Sequence, residues 1–177
     1  MNQATLRVVS SAERLRLDPQ HAGDHIDRLF RAAWALCGSR EDAEDLVQET
    51  YARVLAKPRF LRSEDDLGYL LRTLRNTFLN QKRTESRRLR TAPLPDEPDV
   101  VADPRAIDPA SAIETSDVYA AVAALPADYR DVLVAVDVTG LSYKEAARAL
   151  RIPEGTVMSR LYRARQQVVR RIDGESE

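Results

Sequence analysis

Residues 142–165 read SYKEAARALRIPEGTVMSRLYRAR, a pattern that specifies two helices and the turn between them. Ser142 followed three positions later by Glu145 is a capping box, in which hydroxyl and carboxylate each accept a hydrogen bond from the other residue's backbone amide. It predicts a short helix carrying Ala146, Ala147 and Leu150 inward. Pro153 cannot continue that helix but suits the first turn of another. Val157, Leu161, Ala164, Val168 and Ile172 then recur at spacings of three and four, the apolar stripe of a second helix. Thr156 stands near its start, and Met158, Ser159, Arg160, Tyr162 and Arg163 face outward or sideways. Two helices across a tight turn, the first short and lined by small residues, the second studded with arginine, make a helix-turn-helix.

The charge of this motif stands out against the whole chain. The formal net charge is -1, yet Arg160, Arg163 and Arg165 fall within six positions, and Glu154 is the only acid between Ala146 and Asp173. A solvated surface helix usually interleaves both signs. The planar guanidinium fork suits phosphate oxygens and guanine edges, and the second helix of such a motif enters the major groove by its N-terminal residues. DNA binding therefore explains the clustering, which a merely solvated face leaves unexplained.

The near-zero total hides other blocks. Residues 41–49, EDAEDLVQE, carry five acids and no base; residues 82–90, KRTESRRLR, carry five bases and one acid. Between positions 96 and 117 stand Asp96, Glu97, Asp99, Asp103, Asp108, Glu114 and Asp117 against Arg105 alone. Such segregation points to several different partners.

At 177 residues, 44% hydrophobic and 31% charged, the chain can bury one moderate core or two small ones. Glycine is scarce, and Ala, Leu, Arg and Glu dominate, so the expected fold class is all-α. Apolar runs fall far short of the ~20 residues needed to span a bilayer, and no signal segment follows Met1, so a cytoplasmic location without membrane insertion is expected. Cys37 has no partner for a disulfide and lies on the apolar rhythm Ile26, Leu29, Phe30, Ala33, Cys37, which predicts a buried thiol packing as a small hydrophobe. His21 and His25 share an i, i+4 spacing but lack a third ligand, so no metal is expected. Neither a glycine-rich phosphate loop nor a paired-acid constellation occurs; the reading calls for no cofactor and no catalysis of the chain's own.

Along the chain, residues 1–23 form an unpatterned N-terminal extension. A first domain over 24–90 begins with a helix from Asp24 to Gly38. A second helix carries Ala43, Leu46, Val47, Val54 and Leu55 inward and ends near Pro58. After a loop at 59–65, a third buries Leu67, Leu70, Leu71, Leu74 and Phe78. Ser39 with Asp42, and Ser63 with Asp66, read as N-caps. Residues 91–112, with Pro93, Pro95, Pro98, Pro104 and Pro109 among acids, read as an extended linker. The second domain, 113–173, opens with Val118, Ala121, Val122 and Leu125 inward, restarts after Pro126, breaks at Gly140 and ends in the helix-turn-helix; 174–177 form a tail. The architecture expected is two small helical domains joined by an acidic, Pro-rich linker.

Extended to LPADYRDVLVAVDVTGLSYKEAARALRIPEGTVMSRLYRARQQV (125–168), the opening stretch resembles region 4 of bacterial sigma factors. GSREDAEDLVQETYARVLAK (38–57) with LGYLLRTLRNTFLNQKR (67–83) resembles their region 2. Two regions and a short linker in this order resemble the small extracytoplasmic-function (ECF) sigma factors. The resemblance implies core RNA polymerase and promoter DNA as partners, and an anti-sigma factor as a restraining one. It implies polymerase contacts at Asp42, Asp45, Gln48 and Glu49. It places Arg75, Asn76, Asn80, Lys82 and Arg83 on the −10 element, with Phe60 and Arg62 near single-stranded DNA. Thr156, Met158, Ser159, Arg160, Tyr162 and Arg163 fall on the −35 element. The family usually carries glycine where this chain has Arg151, and often a basic residue at Met158. An alternative is a sigma-like decoy that titrates an anti-sigma factor, which would need none of the retained arginines.

Overall fold

The computed structural model describes residues 23–56, 66–91 and 109–173. Within them the chain is helical, with no strand. A 3-10 turn at Gly23–His25 leads into α1 (Ile26–Cys37), followed by α2 (Arg40–Ala56), α3 (Asp66–Thr91), α4 (Pro109–Ala123), α5 (Ala127–Leu133), a π turn (Val134–Val138), α6 (Tyr143–Leu150) and α7 (Glu154–Ile172). Thr91 still belongs to α3, and α4 starts at Pro109, four residues before the expected Ile113. A proline lacks the amide that a first helical turn leaves unbonded, so Pro109 starts the helix where a linker was expected. The loop at 59–65, with Phe60, Arg62 and Ser63, lies outside the described residues, as do 1–22, 92–108 and 174–177.

The first half is a three-helix unit. Leu29, Ala32, Ala33 and Leu36 of α1 bury against Ala43, Leu46 and Val47 of α2, and Leu67, Leu70, Leu71, Leu74 and Phe78 of α3 close the core. Gly38 ends α1 in the left-handed conformation, φ 79°, its amide donating to Trp34 O. The Ser39 hydroxyl accepts from the Asp42 amide at 3.3 Å, the cap read from the sequence. Ile26 and Leu55, expected inside, are each 50% exposed: one sits on the first turn of α1 and the other on the last turn of α2. The second half packs α5, α6 and α7 through Val132, Leu133, Ala146, Ala149, Val157, Leu161 and Ala164. Ile172, at the end of α7, and Val118 of α4 were also expected inward and stand exposed.

The two halves dock against each other. Trp34 of α1 stacks on Tyr119 of α4, ring centroids 4.5 Å apart and planes 18° from parallel. Arg130 lies over the Phe78 ring at 5.3 Å and donates to Ala123 O. Arg72 of α3 donates to the carbonyls of Ala149 (3.0 Å) and Arg148 (2.7 Å), satisfying carbonyls that the end of α6 leaves unbonded. Arg75 places Nε and Nη2 both 2.6 Å from Oδ2 of Asp131, a residue only 7% exposed. Burial pushes the Asp131 carboxyl up from its ordinary range, against the pull of Arg75 and Arg130.

Candidate nucleic-acid interface

The helix-turn-helix forms as its sequence dictates. The Ser142 amide donates to Glu145 Oε2 at 2.8 Å and the Glu145 amide donates to Ser142 Oγ at 3.3 Å, closing the capping box that starts α6. The Ser142 hydroxyl, donating to the same carboxylate at 2.6 Å, and then the Ser142 amide hold the Glu145 carboxyl below its usual range. At the other end of α6, Arg151 sits in the left-handed region, φ 59° and ψ 45°, the only non-glycine residue to do so among the described residues. Its amide donates to Ala147 O, and the Ile152 amide bonds the same carbonyl. The chain thus builds the usual αL turn with a residue other than glycine, at a conformational cost of about 1 kcal/mol.

Once the turn is made, α7 shows a defined face. Val157, Leu161 and Ala164 are buried, so Met158, Ser159, Tyr162 and Arg163 project into solvent, with Met158 53% and Tyr162 66% exposed. Ser159 donates to Thr156 O, and the Gln166 amide donates to the Tyr162 hydroxyl at 2.9 Å, steadying that ring on the surface. Thr156 is half-buried at the first turn. The arginines divide. Arg163 stands on the outward face, whereas Arg160 is only 30% exposed and bonds Asp128 Oδ2 at 2.7 Å. Arg165 makes a two-toothed pair with Asp137, 2.8 and 2.6 Å, and its proton is held more tightly by that carboxylate and by Tyr143. Neither pair could be read from the sequence, because the partners lie 32 and 28 positions apart.

The expected −10 residues lie along α3. Asn76, Asn80, Lys82 and Arg83 are exposed, and Lys82 bridges to Glu85 at 3.0 Å. Arg75 departs from them: its guanidinium is on Asp131 of the other half. The expected polymerase residues lie along α2, where Asp42, Asp45 and Gln48 are exposed. Glu49 differs, since its carboxylate accepts from Arg53 and from Gln81 at 2.6 Å and so ties α2 to α3. Glu49 and Asn80 meet across a groove of about 530 Å³ that Gln81 and Thr84 also line. Cys37 is partly buried, and desolvation, with Asp42 close by, pushes its thiol up to about 11, as befits a packing residue.

Among the described residues no group of His, Cys, Asp and Glu could hold a metal, and no helix is long and apolar enough to cross a membrane. Residues 21–88 match the family model of Sigma-70 region 2, and residues 115–168 that of Sigma-70, region 4. The chain is 38% identical over 148 residues to the ECF RNA polymerase sigma factor SigE of Mycolicibacterium smegmatis, an alignment covering 81% of this chain and 57% of that protein. It is 32% identical over 143 residues to the ECF RNA polymerase sigma factor EcfG of Rhodopseudomonas palustris, covering 77% and 74%. The fold is similar to the sigma factor RpoE of Bartonella quintana, solved in complex with the anti-sigma factor NepR: TM-score 0.65, 27% identity, 84% of this chain and 92% of that one. With a region 2 bundle, a region 4 helix-turn-helix whose outward face carries Arg163, and these relatives, the chain belongs to the ECF RNA polymerase sigma factors.

Proposed function

We propose that this sigma factor docks on core RNA polymerase through the acidic face of α2 and reads a bipartite promoter, the −10 element through α3 and the −35 element through α7. It supplies recognition and opening, and the polymerase supplies the chemistry, so the factor acts in the cytoplasm and is not itself an enzyme. The observation that carries the reading is the face of α7: Met158, Ser159, Tyr162 and Arg163 project together from a helix entered through the αL turn at Arg151, at the far end of the short helix that the Ser142–Glu145 box starts. An arginine fork there can take a guanine edge, and Met158 can lie on a thymine methyl. Asp42 and Asp45 offer charge to a basic surface. Glu49 acts one step removed, by fixing α2 against α3.

The docked arrangement constrains the mechanism. Elements centred at −10 and −35 are about 25 base pairs apart, about 85 Å at 3.4 Å per pair, whereas a compact chain of this length is about 40 Å across. The halves must separate before both elements are held, and separation frees Arg75 for DNA. The similar RpoE fold was solved in complex with the anti-sigma factor NepR, which favours an anti-sigma factor for this chain as well.

Run-off transcription with purified core polymerase tests the reading on a genomic template library. New start sites, all dependent on this chain and sharing two spaced motifs, are expected. A chain that binds core polymerase or an anti-sigma factor yet yields no start site overturns it in favour of a decoy.

A further inference from the structure

Arg160 and Arg165 occupy the two shoulders of α7. At about 100° per residue they stand on opposite sides of the buried stripe of Val157, Leu161 and Ala164, each about 110° from the line directly opposite that stripe, which passes near Ser159. The major groove is about 12 Å wide and a helix with its side chains nearly fills it, so the shoulders of a recognition helix face the two phosphate walls. Each shoulder arginine meets an aspartate instead. Asp128, in the first turn of α5, is 64% exposed and holds Arg160 at 2.7 Å; Asp137, in the π turn, holds Arg165 through both oxygens. A carboxylate pair of oxygens presents the guanidinium with nearly the geometry of a phosphate.

We propose that Asp128 and Asp137 are built-in phosphate competitors: they occupy Arg160 and Arg165 in the free protein and yield them to DNA phosphates only when the outward face of α7 is matched to its site. Each pair keeps one member well exposed, Asp128 at 64% and Arg165 at 53%, and exposed ion pairs contribute little to stability, so they are poor staples but easily exchanged. On scrambled DNA each phosphate contact must first displace an aspartate and leave its charge beside the duplex. The contacts at Ser159, Tyr162 and Arg163 compensate for that displacement on cognate DNA alone. The acids thus lower non-specific affinity and widen the specificity ratio, the quantity that matters among many competing sites. The inference rests on the −35 reading of α7.

The test measures binding of the full-length chain to fluorescent duplexes, one scrambled and one carrying the −35 motif, over a salt series. Asp128→Asn is expected to tighten binding to the scrambled duplex about eightfold at about 0.1 M salt, and to steepen the log–log salt slope by about 0.9, as one additional phosphate contact requires. Binding to the cognate duplex should tighten less. The gain must vanish in Asp128→Asn with Arg160→Ala, because the competition needs its arginine. A gain that persists without Arg160 is a through-space effect of the lost charge and overturns the proposal; unchanged or weakened binding in Asp128→Asn overturns it as well, since a staple would behave that way. Asp137→Asn with and without Arg165→Ala repeats the cycle on the other shoulder. Arg163→Ala, run in parallel, separates the two layers. If Arg163→Ala loses cognate binding while neither aspartate variant gains, the −35 reading stands and the competitor idea falls; if no variant changes anything, both fall.

Discussion

Arg75→Ala is the most informative perturbation of the docked state. Asp131 is 7% exposed, and both donors of Arg75 reach the same oxygen at 2.6 Å. Removing one partner of a buried pair costs about 3–5 kcal/mol, because the remaining charge is left without compensation. The Arg75 side chain keeps 31% of its surface in water, and Arg130 remains near Asp131, so the lower end applies, about 3 kcal/mol at neutral pH. Asp131→Asn removes the charge that burial penalises and should cost only about 1 kcal/mol, with the double variant close to that single one. The pH dependence has a definite sign. The folded-state pKa of Asp131 is already raised, so its contribution to stability is complete below the ordinary carboxylate range and is lost as pH rises through the raised value. Without Arg75 that pKa rises further, and the deficit of Arg75→Ala should shrink on acidification. Trp34, the chain's single tryptophan, stacks on Tyr119 across the same interface, so its emission reports docking while far-ultraviolet dichroism reports helix content. In urea, Arg75→Ala should shift Trp34 emission to the red before helicity falls. Equal costs for Arg75→Ala and Asp131→Asn, or no recovery in the double variant, would refute the argument that an uncompensated buried carboxylate is what opens the halves.

Arg163→Ala should weaken binding to −35 DNA by about 1–3 kcal/mol while leaving scrambled DNA nearly unaffected, as gel-shift titration would show; equal losses would reduce Arg163 to a phosphate contact. Asp42→Lys with Asp45→Lys sets like charge against a basic polymerase surface and should sharply reduce capture of core enzyme in a pull-down, whereas wild-type capture would remove α2 from the interface. Arg151→Gly should raise thermal stability by about 1 kcal/mol by calorimetry, since φ 59° costs a side chain but not glycine; a clear loss would show that the arginine has a stabilising contact there.

Local chemistry was legible in the sequence and long-range pairing was not. The capping box, the Pro153 entry and the α7 stripe depend on residues within four positions of one another, and each appears where expected. The α3 core stripe from Leu67 to Phe78 was equally plain. Helix ends were less so: Ile26, Leu55 and Ile172 obey the period of their helices, but they stand on terminal turns and are half exposed. The docking of the halves rests on Trp34 with Tyr119, Arg72 with the end of α6, and Arg75 with Asp131, contacts that span 56 to 85 positions and have no local signature. For the same reason an arginine run that reads as one DNA-facing cluster resolves into a single outward residue, Arg163, between two that are already paired.

The π turn at Val134–Val138 has a consequence of its own. A π turn holds about one residue more than an α turn, so everything after Val138 is rotated by about 100° relative to a straight continuation of α5. That rotation sets the direction in which the chain leaves Gly140 for α6, and it brings Asp137 alongside Arg165. The aim of the recognition helix is therefore held partly in chain length. Substitutions at Val134 or Val136 alter packing by degrees, but loss of one codon here would straighten the helix, carry Asp137 off Arg165 and turn the whole helix-turn-helix on its mount. For this part of the protein the severe mutations are insertions and deletions, and among diverging relatives a conserved spacing from Pro126 to Ser142 would preserve the aim even where the side chains between them change.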